Sequence, residues 1–104
     1  MSDGFSQIKV LYVPNTPDPI LMDIVSKAEA QGADITNPMV FDEAEGLRGF
    51  ETVVGDQCPF LLEFLNEDNI PPFLVKIEPA GPVTESTQDF IQRANQVIKE
   101  MRGY

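Results

Sequence analysis

A strand that stops at a proline-rich turn and leads directly into a helix constrains the fold of this chain most. Over Gln7–Val13, one face of the alternating pattern is apolar and the other is mostly so, which is typical of a central strand covered on both sides. Residues 14–19 include three prolines, and proline cannot donate to a strand ladder. Asp18 followed by Pro19 then predicts a helix N-cap with proline in the first helical position.

Hydrophobic spacing and glycines divide the next part of the chain. The first helix is predicted over Pro19–Gln31, where apolar residues recur at helical spacing until Gly32 ends the pattern. A second strand is predicted over Asp34–Phe41, and Pro38 indicates either a sheet edge or the entry to the strand, because proline lacks an N–H. Residues 42–55 contain three glycines between scattered apolar residues, which indicates a short helix or an irregular loop.

The last part of the chain adds two helices and two strands. A proline in the first turn favours a short helix over residues 59–65, although a buried strand fits the same apolar run. Strands are predicted over Phe73–Ile77 and, after a tight turn, at Val83–Thr84. Ser86 can cap a final helix whose apolar residues repeat at helical spacing. No linker divides these elements, so we expect one domain over residues 1–104.

The charge balance and the residues that the chain lacks exclude several classes of function. Seven Lys and Arg stand against 17 Asp and Glu, for a net charge of −10, so most of the surface repels nucleic acid and anionic membranes. The absence of histidine excludes Ser-His-Asp and Cys-His catalysis within the chain. No apolar run is long enough to span a membrane, and no secretion signal is recognisable. We therefore expect a soluble protein in the cytoplasm or in a particle assembled inside the cell, without a metal or another cofactor.

An acidic segment in the middle of the chain is the clearest candidate for an interaction surface. Between Asp42 and Asp68, eight acids accompany one base, Arg48. A concentrated field of one sign attracts partners of the opposite charge, although a solvated face that maintains solubility is an equal interpretation. The spacing of Asp42, Glu43 and Glu45 does not match a calcium-binding loop.

The single cysteine, Cys58, has two interpretations. It precedes Pro59 at a predicted helix N-terminus, where the helix dipole favours a thiolate and hence a reactive thiol. Asp56 and the apolar residues that follow disfavour the thiolate, which would make Cys58 a buried or inert small residue. One cysteine cannot form an internal disulfide, and this fits a reducing compartment.

The predicted order β-α-β-α-β-β-α resembles the α/β thioredoxin-like fold over nearly the whole chain. In that fold a βαβ half is followed by a ββα half, and helices cover both faces of one mixed four-stranded sheet. The most specific local element is Ile70–Val75, similar to the family's hydrophobic-proline-threonine-hydrophobic entry into the third strand. The family's proline is usually cis, so the resemblance implies a cis proline at Pro71, with Pro72 in place of the threonine. Two trans prolines that stiffen the strand entry are the alternative.

The resemblance also implies a lost activity. The family's Cys-x-x-Cys motif falls near residues 16–19, where no side chain can form a thiolate or a mixed disulfide. The chain therefore resembles a redox-inactive member of the family. Residues Leu11–Val13 with Thr16 and Pro17 are also similar to the opening of the KaiB clock proteins, thioredoxin-like members that act by binding.

We therefore expect a non-catalytic, thioredoxin-like subunit that binds a protein partner or serves a structural role in a larger assembly such as a virion. The partner is expected to present a basic surface; nucleic acid and a membrane span are not expected, and the oligomeric state is open. The alternative is an oxidoreductase of thiol, disulfide or glutathione chemistry that uses Cys58. The predicted partner-binding residues are Asp42, Glu43, Glu45, Glu51, Thr16 and Pro17.

Overall fold

The computed structural model describes residues 4–55 and 73–102, which form four strands and two helices. The strands are β1 (Phe5–Tyr12), β2 (Asp34–Asp42), β3 (Leu47–Gly55) and β4 (Leu74–Pro79), and the helices are α1 (Asp18–Ala30) and α2 (Glu85–Arg102). Within these two ranges, no helix is both long enough and apolar enough to cross a membrane.

The four strands form one sheet in the order β2-β3-β1-β4, and all three ladders are antiparallel. Because β1 and β2 both oppose β3, they run in the same direction with β3 inserted between them, which is a split βαβ arrangement. The predicted α/β class and the four-stranded sheet are confirmed. The predicted mixed sheet is wrong for the four described strands, since no two neighbours among them are parallel.

Both described helices pack on the same face of the sheet. On β1, the fully buried side chains of Ile8, Val10 and Tyr12 point to this face, and they belong to the same core cluster as residues from α1 and α2. The helical members of that cluster are Leu21, Ala28, Phe90, Ile91, Ala94 and Ile98. The predicted arrangement of helices on both faces is therefore not met by these two helices.

The segment 42–55, predicted as a short helix or an irregular loop, is instead the turn of a β-hairpin followed by β3. Two glycines of this segment, Gly46 and Gly49, are needed for the hairpin and for strand pairing, and they do not interrupt the secondary structure. Gly46 closes the turn with a positive φ of 73°, which favours glycine. Gly49 lies so close to β1 that a Cβ there would overlap the carbonyl of Val10. The prediction is wrong because a glycine that local sequence marks as a break is here required by the turn and by the approach of β1.

The beginning of α2 also differs from the prediction. Val83–Thr84 is not a strand, and Ser86 is not the cap. Thr84 caps the helix, since its Oγ1 accepts a hydrogen bond from the N–H of Thr87 at 3.2 Å. The N–H of Thr84 donates to Oγ of Ser6 at 3.0 Å, so the same residue joins α2 to β1.

The two edges of the sheet are protected in different ways. On β2, the register shifts on both sides of Asn37, and Pro38 supplies no N–H, so the predicted edge position of this strand is confirmed. On β4, the side-chain amide of Asn95 donates to the carbonyl of Ile77 at 2.9 Å, and its Oδ1 accepts from the N–H of Ile77 at 2.8 Å. Asn95 thus covers part of the second edge from α2.

Three predictions concern parts of the chain that the structure does not describe. The predicted short helix over residues 59–65 and the cysteine Cys58 lie outside the described residues. The predicted cis proline, Pro71, and its neighbour Pro72 lie outside them as well. These predictions stay predictions.

Candidate functional site

The turn of the β2–β3 hairpin and the β1–α1 junction meet at one end of the sheet. In the turn, the N–H of Gly46 donates to the carbonyl of Asp42 at 2.7 Å, and the N–H of Ala44 donates to Oδ1 of Asp42 at 3.2 Å. Pro14 of the junction packs beside Gly46. The carbonyl and the side chain of Asp42 therefore stabilise the turn, whereas Glu43 is exposed on it.

Thr16 is buried in the junction and stabilises it through hydrogen bonds. Its side chain is buried, with only 1% of the residue exposed, and its Oγ1 donates to the carbonyl of Val13 at 2.7 Å. Its own carbonyl accepts a hydrogen bond from Nη1 of Arg48 at 3.1 Å. Pro17, by contrast, is exposed and occupies the N-cap position of α1, where Asp18 was predicted. Of the two junction residues predicted to bind a partner, only Pro17 reaches the surface.

Arg48 fastens the beginning of α1 to β3. Besides the carbonyl of Thr16, its guanidinium pairs with the carboxylate of Asp18 and donates to the sulfur of Met39 at 3.6 Å. Its positive charge is thereby matched within the chain. Asp18 is the first residue of α1, where a negative charge also favours the helix dipole.

Glu45 is held on the opposite side of the same hairpin end. It forms an ion pair with Lys76 of β4, and Lys76 also lies 3.4 Å from a carboxylate oxygen of Glu78. The hydrogen bond that Lys76 donates to Glu45 is the main reason that the pKa of Lys76 is raised above its ordinary value of 10.5. Partial burial opposes this effect, and the charge of Glu78 adds to it. The ion pair between Glu45 and Lys76 therefore joins the turn to β4.

The structure brings five of the six predicted binding residues to this end of the molecule. The exception is Glu51, which lies in the middle of β3 opposite Lys9, on the face of the sheet away from α1 and α2. Across that face, Lys9 also pairs with Glu78 at 3.9 Å. Glu51 therefore lies away from the hairpin end and is linked to its Glu45 only through the charges of Lys9, Glu78 and Lys76 on that face.

A groove lies between α1 and the edge strand β2. It encloses about 300 Å³ and is lined by Met22, Val25, Ser26, Glu29, Ile35 and Pro38. We call it the β2–α1 groove. On α1 the lining positions recur at a spacing of three or four residues, so one stripe of the helix forms a whole wall.

Three large apolar side chains stand exposed in and beside this groove. Met22 is 65% exposed on its α1 wall, and Met39 and Phe41 are 47% and 64% exposed along β2. We call these three residues the apolar strip. Met39 and Phe41 lie at the hairpin end, where Met39 contacts Arg48 and Phe41 lies opposite Arg48 in the β2–β3 ladder. Arg48 also pairs with Asp18, one turn of α1 before Met22 of the groove wall.

The sequence contained two signals for the apolar strip. Met22 falls outside the apolar stripe that faces the core from α1, so its side chain points elsewhere. Pro38 marks β2 as an edge strand, which leaves its apolar residues without a second neighbour. Neither signal predicts a groove, because the groove forms only when α1 packs beside β2.

The charges around the groove are predominantly negative. Lys27 of α1 pairs with Asp23 at 3.2 Å, and Arg48 pairs with Asp18, so both nearby bases already have partners. Glu29 lines the groove, and among residues 4–55 and 73–102 its carboxylate has no ion pair. The groove therefore offers apolar walls and an unmatched carboxylate.

Comparisons with known proteins return no match: no family model fits the chain, and neither a curated protein nor a solved structure is significantly similar to it.

Proposed function

We propose that this chain is a protein-binding subunit of a larger assembly, and that it docks a partner through the β2–α1 groove and the apolar strip. The observation that carries the proposal is the exposure of Met22, Met39 and Phe41 together beside one groove. Single exposed apolar residues are ordinary, whereas a cluster next to a concave surface is typical of an interaction site. Burying such area stabilises a complex by about 25 cal/mol per Å² before the costs of association.

The β1–α1 junction supports a binding role over redox chemistry at that position. The junction has no thiol, and the one hydroxyl it offers, on Thr16, is buried and bonded to Val13. Arg48 and Asp18 further fix the junction as part of the scaffold. Cys58, on which the alternative oxidoreductase depends, lies outside the described residues, so the binding role is the one with an observation behind it.

The test begins with the native mass of the gently isolated endogenous protein and of whatever purifies with it. The affinity of that partner is then measured for the wild-type chain and for two variants, Phe41→Ser and Phe5→Ser. Phe5 is a matched control, since it is 68% exposed but lies on the other face of the sheet. Because both rings are exposed, either change should alter the free energy of unfolding by no more than about 0.5 kcal/mol.

The expected result is a stoichiometric partner whose affinity falls by about tenfold or more with Phe41→Ser and stays unchanged with Phe5→Ser. A lone mass equal to the 11.5 kDa chain would overturn the proposal. So would a partner that binds Phe41→Ser as tightly as the wild-type chain.

A further inference from the structure

We propose that the occupant of the β2–α1 groove is a cationic segment of another protein, in which apolar side chains are flanked by Lys or Arg. This inference rests on the proposed function and specifies the chemistry of the partner. It predicts that apolar side chains enter between α1 and β2 while a basic side chain meets Glu29.

Charge complementarity selects a basic occupant. Glu29 is the charged residue of the groove lining, and the described part of the chain supplies it with no counter-ion. The base on α1, Lys27, is matched by Asp23, and the base at the beginning of the helix, Arg48, is matched by Asp18. A partner with Lys or Arg beside its apolar residues would therefore add an ion pair without breaking one.

The same charges argue against two other occupants. A second copy of the chain would bring another Glu29 and a further net charge of −10 to the interface, and like charges in an interface are unfavourable. An anionic membrane surface would be repelled for the same reason. A basic protein segment is the occupant that the field of the whole chain attracts.

The edge of β2 indicates that side chains, rather than added backbone pairing, make the contact. A strand that joined β2 would meet Pro38, which has no N–H and lies within the second of two register shifts on β2. The groove, in contrast, presents Met22 and Val25 of α1 opposite Ile35 of β2. Methionine adapts well to partner side chains of different shape.

The test selects peptides from a display library of random 12-residue sequences on the full-length wild-type chain. Each recovered peptide is synthesised, and its affinity is measured for the wild-type chain and for Met22→Gln, Glu29→Gln and Glu100→Gln. Met22→Gln alters the groove wall. Glu100→Gln is the matched charge control, because Glu100 lies on α2, which packs against β4 at the other edge of the sheet.

The expected peptides lose affinity with Met22→Gln and are enriched in Lys and Arg next to apolar residues. Their affinity should fall about two- to fivefold with Glu29→Gln, stay unchanged with Glu100→Gln and weaken as NaCl is raised.

Three other outcomes are distinguishable. Peptides that need Met22 but are neutral or acidic, or do not respond to Glu29→Gln, would overturn the cationic partner and leave the proposed function standing. Peptides whose affinity is unchanged by Met22→Gln, or a library that yields no binder, would count against both proposals. A wild-type dimer in sedimentation velocity that Met22→Gln dissociates would identify a second copy as the occupant and overturn the inference.

Discussion

Thr84 joins three parts of the chain through one residue. Its N–H reaches Ser6 on β1, its Oγ1 accepts the N–H of Thr87, and its carbonyl accepts the N–H of Gln88 at 2.9 Å. The first N–H groups of a helix have no partner within the helix, so a cap of this kind stabilises the whole element. Thr84 also ties the beginning of α2 to a strand 78 positions earlier in the chain.

Replacing the cap should therefore be costly, and replacing the neighbouring hydroxyl should not. We expect Thr84→Ala to lower the free energy of unfolding by about 1 kcal/mol. Ser86→Ala, at an exposed position within the first turn of α2, should change it by less than about 0.5 kcal/mol. Urea unfolding of both variants measures the difference. A larger loss with Ser86→Ala would restore Ser86 as the cap.

The sequence alone could not choose between these caps. Thr84, Ser86 and Thr87 all carry hydroxyl groups that can cap a helix, and they lie within four positions of each other. The choice depends on Ser6, which is brought beside Thr84 only by the folded sheet. Residue-level predictions of this kind fail wherever a distant part of the chain supplies the deciding hydrogen bond.

At the scale of elements, α2 and β4 are joined by two hydrogen bonds between the side chain of Asn95 and the backbone of Ile77. A hydrophobic side chain at position 95 could form neither of them. Ile77 lies opposite Val10 in the β1–β4 ladder, and its N–H and carbonyl both bond to the side chain of Asn95. An amide can donate and accept at the same time, so asparagine suits this position.

Asn95→Asp tests that arrangement. A carboxylate cannot donate to the carbonyl of Ile77, so we expect the free energy of unfolding to fall by about 1–3 kcal/mol. Gln92→Glu adds the same charge at an exposed position on α2 and should change it by less than about 0.5 kcal/mol. Chemical unfolding at pH 7 measures both variants. An equal effect of the two changes would mean that charge, rather than the lost donor, causes the loss.

The ion pair between Glu45 of the hairpin turn and Lys76 of β4 should make the free energy of unfolding depend on pH in the alkaline range. The pKa of Lys76 is raised in the folded chain, so its contribution is complete below the ordinary value of 10.5 and is lost as the pH rises through the higher folded value. Because the pair is partly exposed, we expect Lys76→Gln to cost at most about 1 kcal/mol.

The free energies of unfolding of the wild-type chain and Lys76→Gln, measured from pH 8 to pH 12, give the contribution of this lysine. Their difference should be constant up to about pH 10 and shrink above it. Lys99→Gln, on the exposed surface of α2, controls for the loss of a positive charge. A difference that widened with rising pH would have the wrong sign for a stabilising partner of Lys76.

Elements with a local hydrophobic periodicity could be predicted from the sequence. The strand whose glycine is required for pairing with its neighbour could not. The strand Gln7–Val13, the edge strand Asp34–Phe41 and both described helices were recognisable from spacing and breakers, to within a few residues. The strand β3 was missed because Gly49 is required by contact with Val10, which no local pattern reveals. Without β3, neither the antiparallel sheet nor its order could be derived. The acidic character of the segment that begins at Asp42 was visible in the sequence, but its hairpin turn was not, and the groove depends on the packing of α1 beside β2.

At the scale of the whole molecule, the charge of −10 acts against folding at low salt. The molecule measures 40 × 26 × 26 Å, and the screening length is about 30 Å at 0.01 M salt, so nearly all charges interact there and the excess of acids makes the net effect repulsive. At 0.15 M the screening length falls to about 8 Å, and only close neighbours interact. The compact state should therefore be more stable at higher ionic strength.

Raising NaCl from 0.01 M to 0.15 M should raise the free energy of unfolding by on the order of 1 kcal/mol, or about 4–8 °C in Tm. Glu43→Lys, at an exposed turn position, lowers the net negative charge by two and should begin with a higher Tm and gain less from salt. Thermal unfolding at both salt concentrations measures this. A fall in Tm with added salt would show that attractive ion pairs outweigh the repulsion.

A ribosome releases β1 before the other strands, yet β1 lies between β3 and β4 in the finished sheet. Both of its partners are synthesised later, and the second is complete only at Pro79. At about 5–20 residues per second, roughly 3–13 s separate the release of Tyr12 from that of Pro79. Throughout this interval the nascent chain exposes the apolar face of β1 without a complete sheet to receive it. The growing polypeptide, rather than the folded protein, is therefore the form that most needs a chaperone.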